Sequence, residues 1–205
     1  MKRTFILLII IALFSLNIYS KGYNLFFGIG YGHGLSDFFE ESKTNYNYDG
    51  KSFVDTRTNE LGFNFVLNLS IPLSEKLSII PGISMAAGNQ GHSYEEITTS
   101  QQGESVSEQF SFNLFSGDIV LSYDVLSISK DIVFNVLGGF NYTIFNSDKG
   151  MMIEKTKYFG ALIGFGIKFL QIDQFDLITN VMYNHAFNKD MPSFIKGQVG
   201  LRYKF

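Results

Sequence analysis

Three histidines, His33, His92 and His185, are the side chains best suited to acid–base or metal chemistry near neutral pH. Their spacing gives neither H-E-x-x-H nor any other paired zinc-ligand pattern. The chain has no cysteine, which excludes disulfide scaffolds, thiolate metal sites and cysteine nucleophiles. Acidic side chains gather in two polar stretches. Asp37, Glu40, Glu41, Asp49 and Asp55 lie in the first, with Lys43, Lys51 and Arg57; Glu95, Glu96, Glu104 and Glu108 lie in the second. Neither has the D-x-D-x-D-G spacing of a calcium loop, so both read as solvated surface. Glycines at 28, 30, 32 and 34 do not form G-x-G-x-x-G. Spaced by two, they fall on one face of a strand and cradle no phosphate. The residues therefore offer no catalytic set, no cofactor site and no metal site, and the histidines read as loop or interfacial residues.

The elements that would carry these residues are legible from composition and periodicity. The 205 residues are 45% hydrophobic and 17% charged, with 22 phenylalanines, 11 tyrosines, 20 glycines and no tryptophan. That is charge-poor beside the roughly 25% of an average soluble domain. The net charge of −3 removes the electrostatic footprint of a nucleic-acid binder. Lys2 and Arg3 precede an apolar run from Phe5 to Leu16, and Ser20 is a small residue at a suitable cut site. This reads as a cleaved secretory signal over 1–20, too short for the roughly 18 residues of a membrane span. The remaining 185 residues, 21–205, carry 14 basic and 19 acidic side chains and form one domain.

Within that domain apolar residues recur at every second position. Leu25, Phe27, Ile29 and Tyr31 form one set; Leu61, Phe63, Phe65, Leu67 and Leu69 form another; Phe159, Ile163, Phe165 and Ile167 a third. Period two marks strands with chemically different faces. Eight are expected, roughly at 22–34, 59–72, 77–88, 109–123, 132–145, 157–170, 175–187 and 194–205. Phe110, Phe112 and Leu114 share one parity while Phe115, Ile119 and Leu121 take the other, so a β-bulge is expected near Leu114–Phe115. The connections at 35–58, 89–108, 146–156 and 188–193 are polar and mostly long, and those at 73–76, 124–131 and 171–174 are shorter.

That asymmetry and the strand lengths fit an all-β fold, an eight-stranded up-and-down antiparallel transmembrane β-barrel. A soluble barrel would point its apolar face inward. Here the face opposite to Phe, Leu and Ile carries mostly Gly, Asn, Ser and Gln, which could not fill a core but suits a narrow polar interior. Charges inside strands are placed on this second face: Asp118, Lys168, Asp176, Lys196, Arg202 and Lys204. Asp118, Lys168, Asp176 and Arg202 are expected as lumen charges that pair, because an unpaired buried charge costs several kcal/mol.

The ending from Gln198 to Phe205 resembles the C-terminal strand of bacterial outer-membrane proteins, with a terminal aromatic and apolar residues at alternate positions before it. The whole mature chain is similar in plan to the small OmpA/OmpX-type, "porin-family" eight-stranded barrels. The resemblance implies an outer-membrane location with both termini periplasmic, outer-membrane lipid as a partner, and reading by the barrel-assembly machinery. The matching positions of that assembly signal are Val199, Leu201, Tyr203 and Phe205. It departs from many members in lacking tryptophan, so the aromatic belts must be Tyr and Phe. Lipid A deacylases of this shape use H-x-S; His33-Gly34-Leu35 and His185-Ala186-Phe187 do not supply it, and in His92-Ser93 the intervening residue is missing. A palmitoyltransferase-like rim set could only be built from His33, Ser36 and Asp37, which read as loop-edge residues. The favoured expectation is a structural or surface-interaction protein displaying acidic extracellular loops to a ligand. A narrow pore for small solutes or ions is the alternative, and a lipid-modifying enzyme a distant third.

Overall fold

The structure, a computed structural model, describes residues 22–36, 39, 41–48, 51–97, 102–147 and 155–205. The leader expected at 1–20 and the acidic residues Asp37, Glu40 and Asp49 lie outside them. Among the described residues nine strands follow in chain order: β1 (Asn24–Gly34), β2 (Ser42–Tyr48), β3 (Lys51–Pro72), β4 (Leu77–Ile97), β5 (Gln102–Ser127), β6 (Val133–Ser147), β7 (Lys155–Ile172), β8 (Phe175–Ala186) and β9 (Phe194–Lys204). All pairings are antiparallel, and β1 closes the sheet by pairing with β9 on one side and β3 on the other. Eight strands, β1 and β3 to β9, make an up-and-down ring with no free edge through its wall. β2 stands outside the ring and pairs with the start of β3, from Ser42 opposite Arg57 to Tyr48 opposite Lys51.

Tight turns close one end of the ring. Asp173 and Gln174 join β7 to β8, with Asp173 at φ 50°, a left-handed conformation that aspartate tolerates better than most residues. Ser74 Oγ accepts the Leu77 amide at 3.1 Å, and Ser129 Oγ accepts the amides of Asp131 and Ile132. These are local side-chain bonds that hold the chain in a turn.

At the other end the strands are uneven. β1, β8 and β9 have 11 or 12 residues, close to the roughly 9–11 that cross a bilayer when tilted. β3, β4 and β5 have 22, 21 and 26 residues and run far beyond them. The stretches 35–58 and 89–108, expected as loops, are therefore largely strand. Their residues are mostly polar at both parities, so the hydropathy alternation stops while the backbone ladder continues.

The bulge is not where parity suggested. β5 pairs with β4 and β6 without a break at Leu114–Phe115. Register shifts lie elsewhere: between Glu95 and Ile97, Asp124 and Leu126, and Lys168 and Leu170, and, within the wall, on β3 between Leu61 and Asn64. The β3 shift turns Leu61 into the ring, whereas periodicity places it on the outer face. Phe112 and Leu114 also point inward, fully buried, because the interior at this level is apolar.

Outside, the wall is hydrocarbon-like. Phe63, Phe140 and Ile163 are each 65% or more exposed, and Phe27, Ile83, Ile119, Phe165 and Leu201 join them. Large exposed apolar side chains around a closed ring, with buried polar ones inside, are the inverse of a soluble barrel. Aromatic contacts rim both edges. Tyr31–Phe63, Tyr142–Phe159 and His185–Phe187 lie toward the tall end, and Phe175–Tyr203 and Tyr203–Phe205 toward the turn end. This is a transmembrane barrel with Tyr and Phe girdles. Lys157 is an exception to the placement of strand charges on the inner face. It stands exposed on the outer face of β7, opposite Ile144, near the tall-end girdle.

Candidate functional site

Three layers fill the ring. Near the tall end, Leu61, Ala86, Phe112, Leu114, Phe145, Tyr158 and Phe194 form an apolar plug, with Phe112 stacked on Phe145 at 5.4 Å and Phe39 and Phe110 packed against it. The middle is polar. Gln198 Nε2 donates to Asn64 Oδ1 at 2.9 Å, and Ser116 and Thr143 share a 2.7 Å hydrogen bond. Lys196 Nζ lies 3.7 Å from Asp118 Oδ2, which also accepts from Ser84 Oγ at 3.2 Å. Two small apolar clusters follow, Val120–Leu137–Leu162–Met182 and Phe26–Val66–Ile178. The interior face is thus not only Gly, Asn, Ser and Gln, as composition suggested. Apolar residues from neighbouring strands close it above and below the polar layer.

The turn-end mouth is ionic. Arg202 donates from Nε and Nη2 to Asp176 Oδ2 at 2.9 and 2.7 Å, and Lys204 Nζ lies 2.8 Å from Oδ1. Asp176 is fully buried and holds both cations. Beside them a cavity of about 70 Å³ is lined by Asn68, Asp124, Asn135, Asn180 and Arg202. Lys168 stands at the rim and donates to the Lys130 carbonyl at 2.6 Å. The four lumen charges inferred from sequence thus fall into separate places: Asp176 with Arg202, Asp118 in the middle layer, Lys168 at the rim. Lys196 and Lys204, on the same parity, are the partners that complete the first two.

Glycine makes the middle layer possible. Gly30 of β1 lies between its register partners Asn64 on β3 and Gln198 on β9. A Cβ there would strike the Gly197 carbonyl. Nearer the turn end, Gly166 of β7 lies likewise between Asn135 and Asn180, whose amides a Cβ would displace. At Gly30 the polar side chains of the two flanking strands reach over the glycine and meet in the narrow lumen.

Above the ring, β2, β3, β4 and β5 continue as a four-stranded sheet. On its inward face Asp55 carries the Arg57 guanidinium at 3.0 Å and His92 Nε2 at 2.5 Å. Asp55 and His92 are nearly buried, so His92 is a strand residue in an ionic cluster and not a loop histidine. Ser93 follows it in the strand and projects from the opposite face, which leaves no H-x-S geometry. On that opposite face Thr56, Ser93 and Ser107 share one register row and Thr58, Gly91 and Gln109 the next. Lys43 of β2 pairs with Glu41 at 2.8 Å; that hydrogen bond and charge raise the ammonium pKa. His33 is exposed at the end of β1, and His185 packs between Tyr183 and Phe187 on the outer girdle. Among the described residues no cluster of His, Asp or Glu has metal-holding geometry.

The C-terminal strand completes the ring. Val199, Leu201 and Tyr203 face outward on β9, and Phe205 donates its amide to the Tyr23 carbonyl at 3.0 Å. Phe205 is 68% exposed and meets Tyr203 edge-on at 4.9 Å.

No family model matches the chain, and no curated protein matches it. Among solved structures it is similar to the outer membrane protein OprG from Pseudomonas aeruginosa, at 12% identity and a TM-score of 0.49 over 91% of this chain and 96% of that one. It is similar to Ail, the attachment invasion locus protein of Yersinia pestis, at 13% identity and a TM-score of 0.47 over 91% and 99%. The N-terminal β-barrel domain of Pseudomonas aeruginosa OprF follows, at 12% identity and a TM-score of 0.45 over 90% and 98%.

Proposed function

We propose that the chain is a non-conducting outer-membrane barrel that anchors a projecting β-sheet on the cell surface, where that sheet makes the protein's contacts. One observation carries this reading. Apolar clusters close the ring above and below its polar layer, while three of its strands run about twice the length of β1, β8 and β9. Filling a lumen serves no transport, and extending strands into water serves no membrane crossing. The unequal ends support an orientation with the short turns and both termini in the periplasm and the tall sheet outside. The terminal strand, through Val199, Leu201, Tyr203 and Phe205, is then the segment offered to the barrel-assembly machinery. The role is non-enzymatic: the Asp55–His92 pair has an arginine neighbour and its adjacent serine faces away.

Planar-bilayer recording tests the sealed lumen. No stable unitary conductance is expected; steady openings in the nanosiemens range would replace this reading with a pore. A binding screen of cells carrying the full chain against cells with residues 42–58 and 91–108 shortened tests the surface role, and equal binding would remove it.

A further inference from the structure

The outward glycines behave differently from the inward ones. A Cβ on Gly30 or Gly139 would meet a neighbouring carbonyl, but one on Gly117 would meet nothing within 4 Å. Gly117 lies on the outer face of β5, opposite Ile83 of β4 and Tyr142 of β6. One row toward the tall end stand Met85, Phe115 and Ile144, and Phe65 and Leu67 close the far side. The missing side chain leaves a groove of about 530 Å³ walled by these residues, within the roughly 300–1,000 Å³ typical of small-molecule sites. Tyr142 belongs to the tall-end girdle, so the groove occupies the outer-leaflet half of the wall.

Positive charge stands at its upper edge. Lys157 is the register partner of Ile144, which lines the groove, and Lys155 is the partner of Asn146 just above. Directly opposed residues share a face. Both lysines are exposed, and neither is ion-paired among the described residues. Gly138 and Gly197 also open onto the wall, but their partners are Leu121 and Ile163, and Tyr31 and Val181, with no cation among them. The notch and the cations coincide at one place.

We propose that this groove binds one outer-leaflet lipid with an anionic phosphate headgroup, its acyl chain lying along Gly117 and its phosphate held by Lys155 and Lys157. The inference rests on the membrane reading above, since only hydrocarbon or another membrane-embedded chain can cover this wall. The lysines select lipid over a second copy, because the same face of a copy would bring like charges together. Long lysine side chains lie along apolar surface and deliver their ammonium groups to the headgroup level.

The chain has no tryptophan, so one introduced residue is a clean fluorescent reporter. Tyr142→Trp would be refolded in neutral detergent and titrated with phosphatidylglycerol brominated on its acyl chains. Phe165→Trp, outward on β7, serves as the wall control. The expected result is saturable quenching of the Tyr142→Trp reporter at low lipid mole fraction, while the control follows bulk lipid content. Adding Lys155→Gln and Lys157→Gln should raise the midpoint on the order of 30-fold. Gly117→Leu should lower the maximal quenching. Identical titrations of the two reporters, an unchanged midpoint without the lysines, or emission that tracks protein concentration in place of lipid would each overturn the site. In vesicles made wholly of brominated lipid both reporters should be quenched. If neither is, the membrane reading itself has failed, not the lipid site alone.

Discussion

The Gln198 amide donates to Asn64 Oδ1 at 2.9 Å across the backbone of Gly30, so that side chains of β9 and β3 meet over the strand between them. Both residues are nearly fully buried, in a layer flanked by apolar clusters. The bond therefore ties the two strands that flank the first one, at the point where the ring closes. Gln198→Leu removes the donor and strands a buried acceptor, which costs about 1–3 kcal/mol. Gly30→Val should be worse, because its side chain would strike the Gly197 carbonyl and occupy the crossing. Urea titration in lipid vesicles should show a lowered midpoint for the first variant and failure to refold for the second. A neutral Gly30→Val would mean the crossing is open.

Asp176 predicts a different asymmetry. It is fully buried and takes Arg202 through two hydrogen bonds to one oxygen and Lys204 on the other. Arg202→Leu leaves that carboxylate facing one partly exposed lysine and should cost about 3–5 kcal/mol. The double variant Arg202→Leu with Asp176→Leu should recover a large part of the loss, because removing both charges removes the desolvation penalty. Unfolding free energies of the two single variants and the double variant measure the coupling; simple additivity would dissolve the pair.

How far the sequence reaches is visible in particular residues. The outward set Phe63, Phe65, Leu67 and Ile163, Phe165 is legible because one face meets hydrocarbon and the other does not, so period two appears in the residue types. The same reading misassigns Leu61, which the β3 bulge turns inward, and, for a separate reason, the Leu114–Phe115 step. Parity there reports a change in what lines the lumen, not a change in register. Phe110, Phe112 and Leu114 are inward residues of an apolar plug, and they mimic an outward set once the interior is assumed polar throughout. A bulge at Leu61–Asn64 leaves no compositional mark, since Gly62 and Phe63 suit a regular strand equally well. The tall sheet was hidden for a third reason. Between Lys51 and Thr58, and again beyond Gly88, mostly polar residues stand on both faces, so pairing continues without hydropathy contrast. The Asp55–His92 pair is 37 residues apart in the chain, and only the β3–β4 register joins it.

Phe205 should matter more for assembly than for folded stability. Its side chain is mostly exposed and touches Tyr203 edge-on, and its amide still closes on Tyr23 whatever the side chain is. Phe205→Ala should lower the amount of barrel in the outer membrane several-fold while moving the in vitro unfolding midpoint by less than about 1 kcal/mol equivalent. Membrane fractionation and refolding of the same variant separate the effects. Equal losses in both would make it a packing residue.

The two faces of the wall are tested most sharply at neighbouring positions. Leu67 lies outward on β3 beside Phe27 and Ile83, with 42% of its surface exposed to the bilayer. Asn68, one residue on, turns inward against Gly82 and lines the small ionic cavity with Asp124 and Arg202. Arginine at Leu67 must leave its guanidinium in hydrocarbon or drag water to it, at about 2–4 kcal/mol near the midplane. Lysine at Asn68 enters a cavity that already holds a carboxylate, so Asp124 offers its ammonium a partner and the penalty should be smaller. Crowding opposes this gain, because the cavity is only about 70 Å³ and Gly82 sits close by. Asn68→Asp is therefore the control, similar in size but placed beside Asp124, and it should destabilise more than its volume explains. Denaturant titration of the three variants in the same vesicles orders them. Leu67→Arg should be the least stable. If Asn68→Lys took that place, the faces would be inverted and the wall would not be facing lipid.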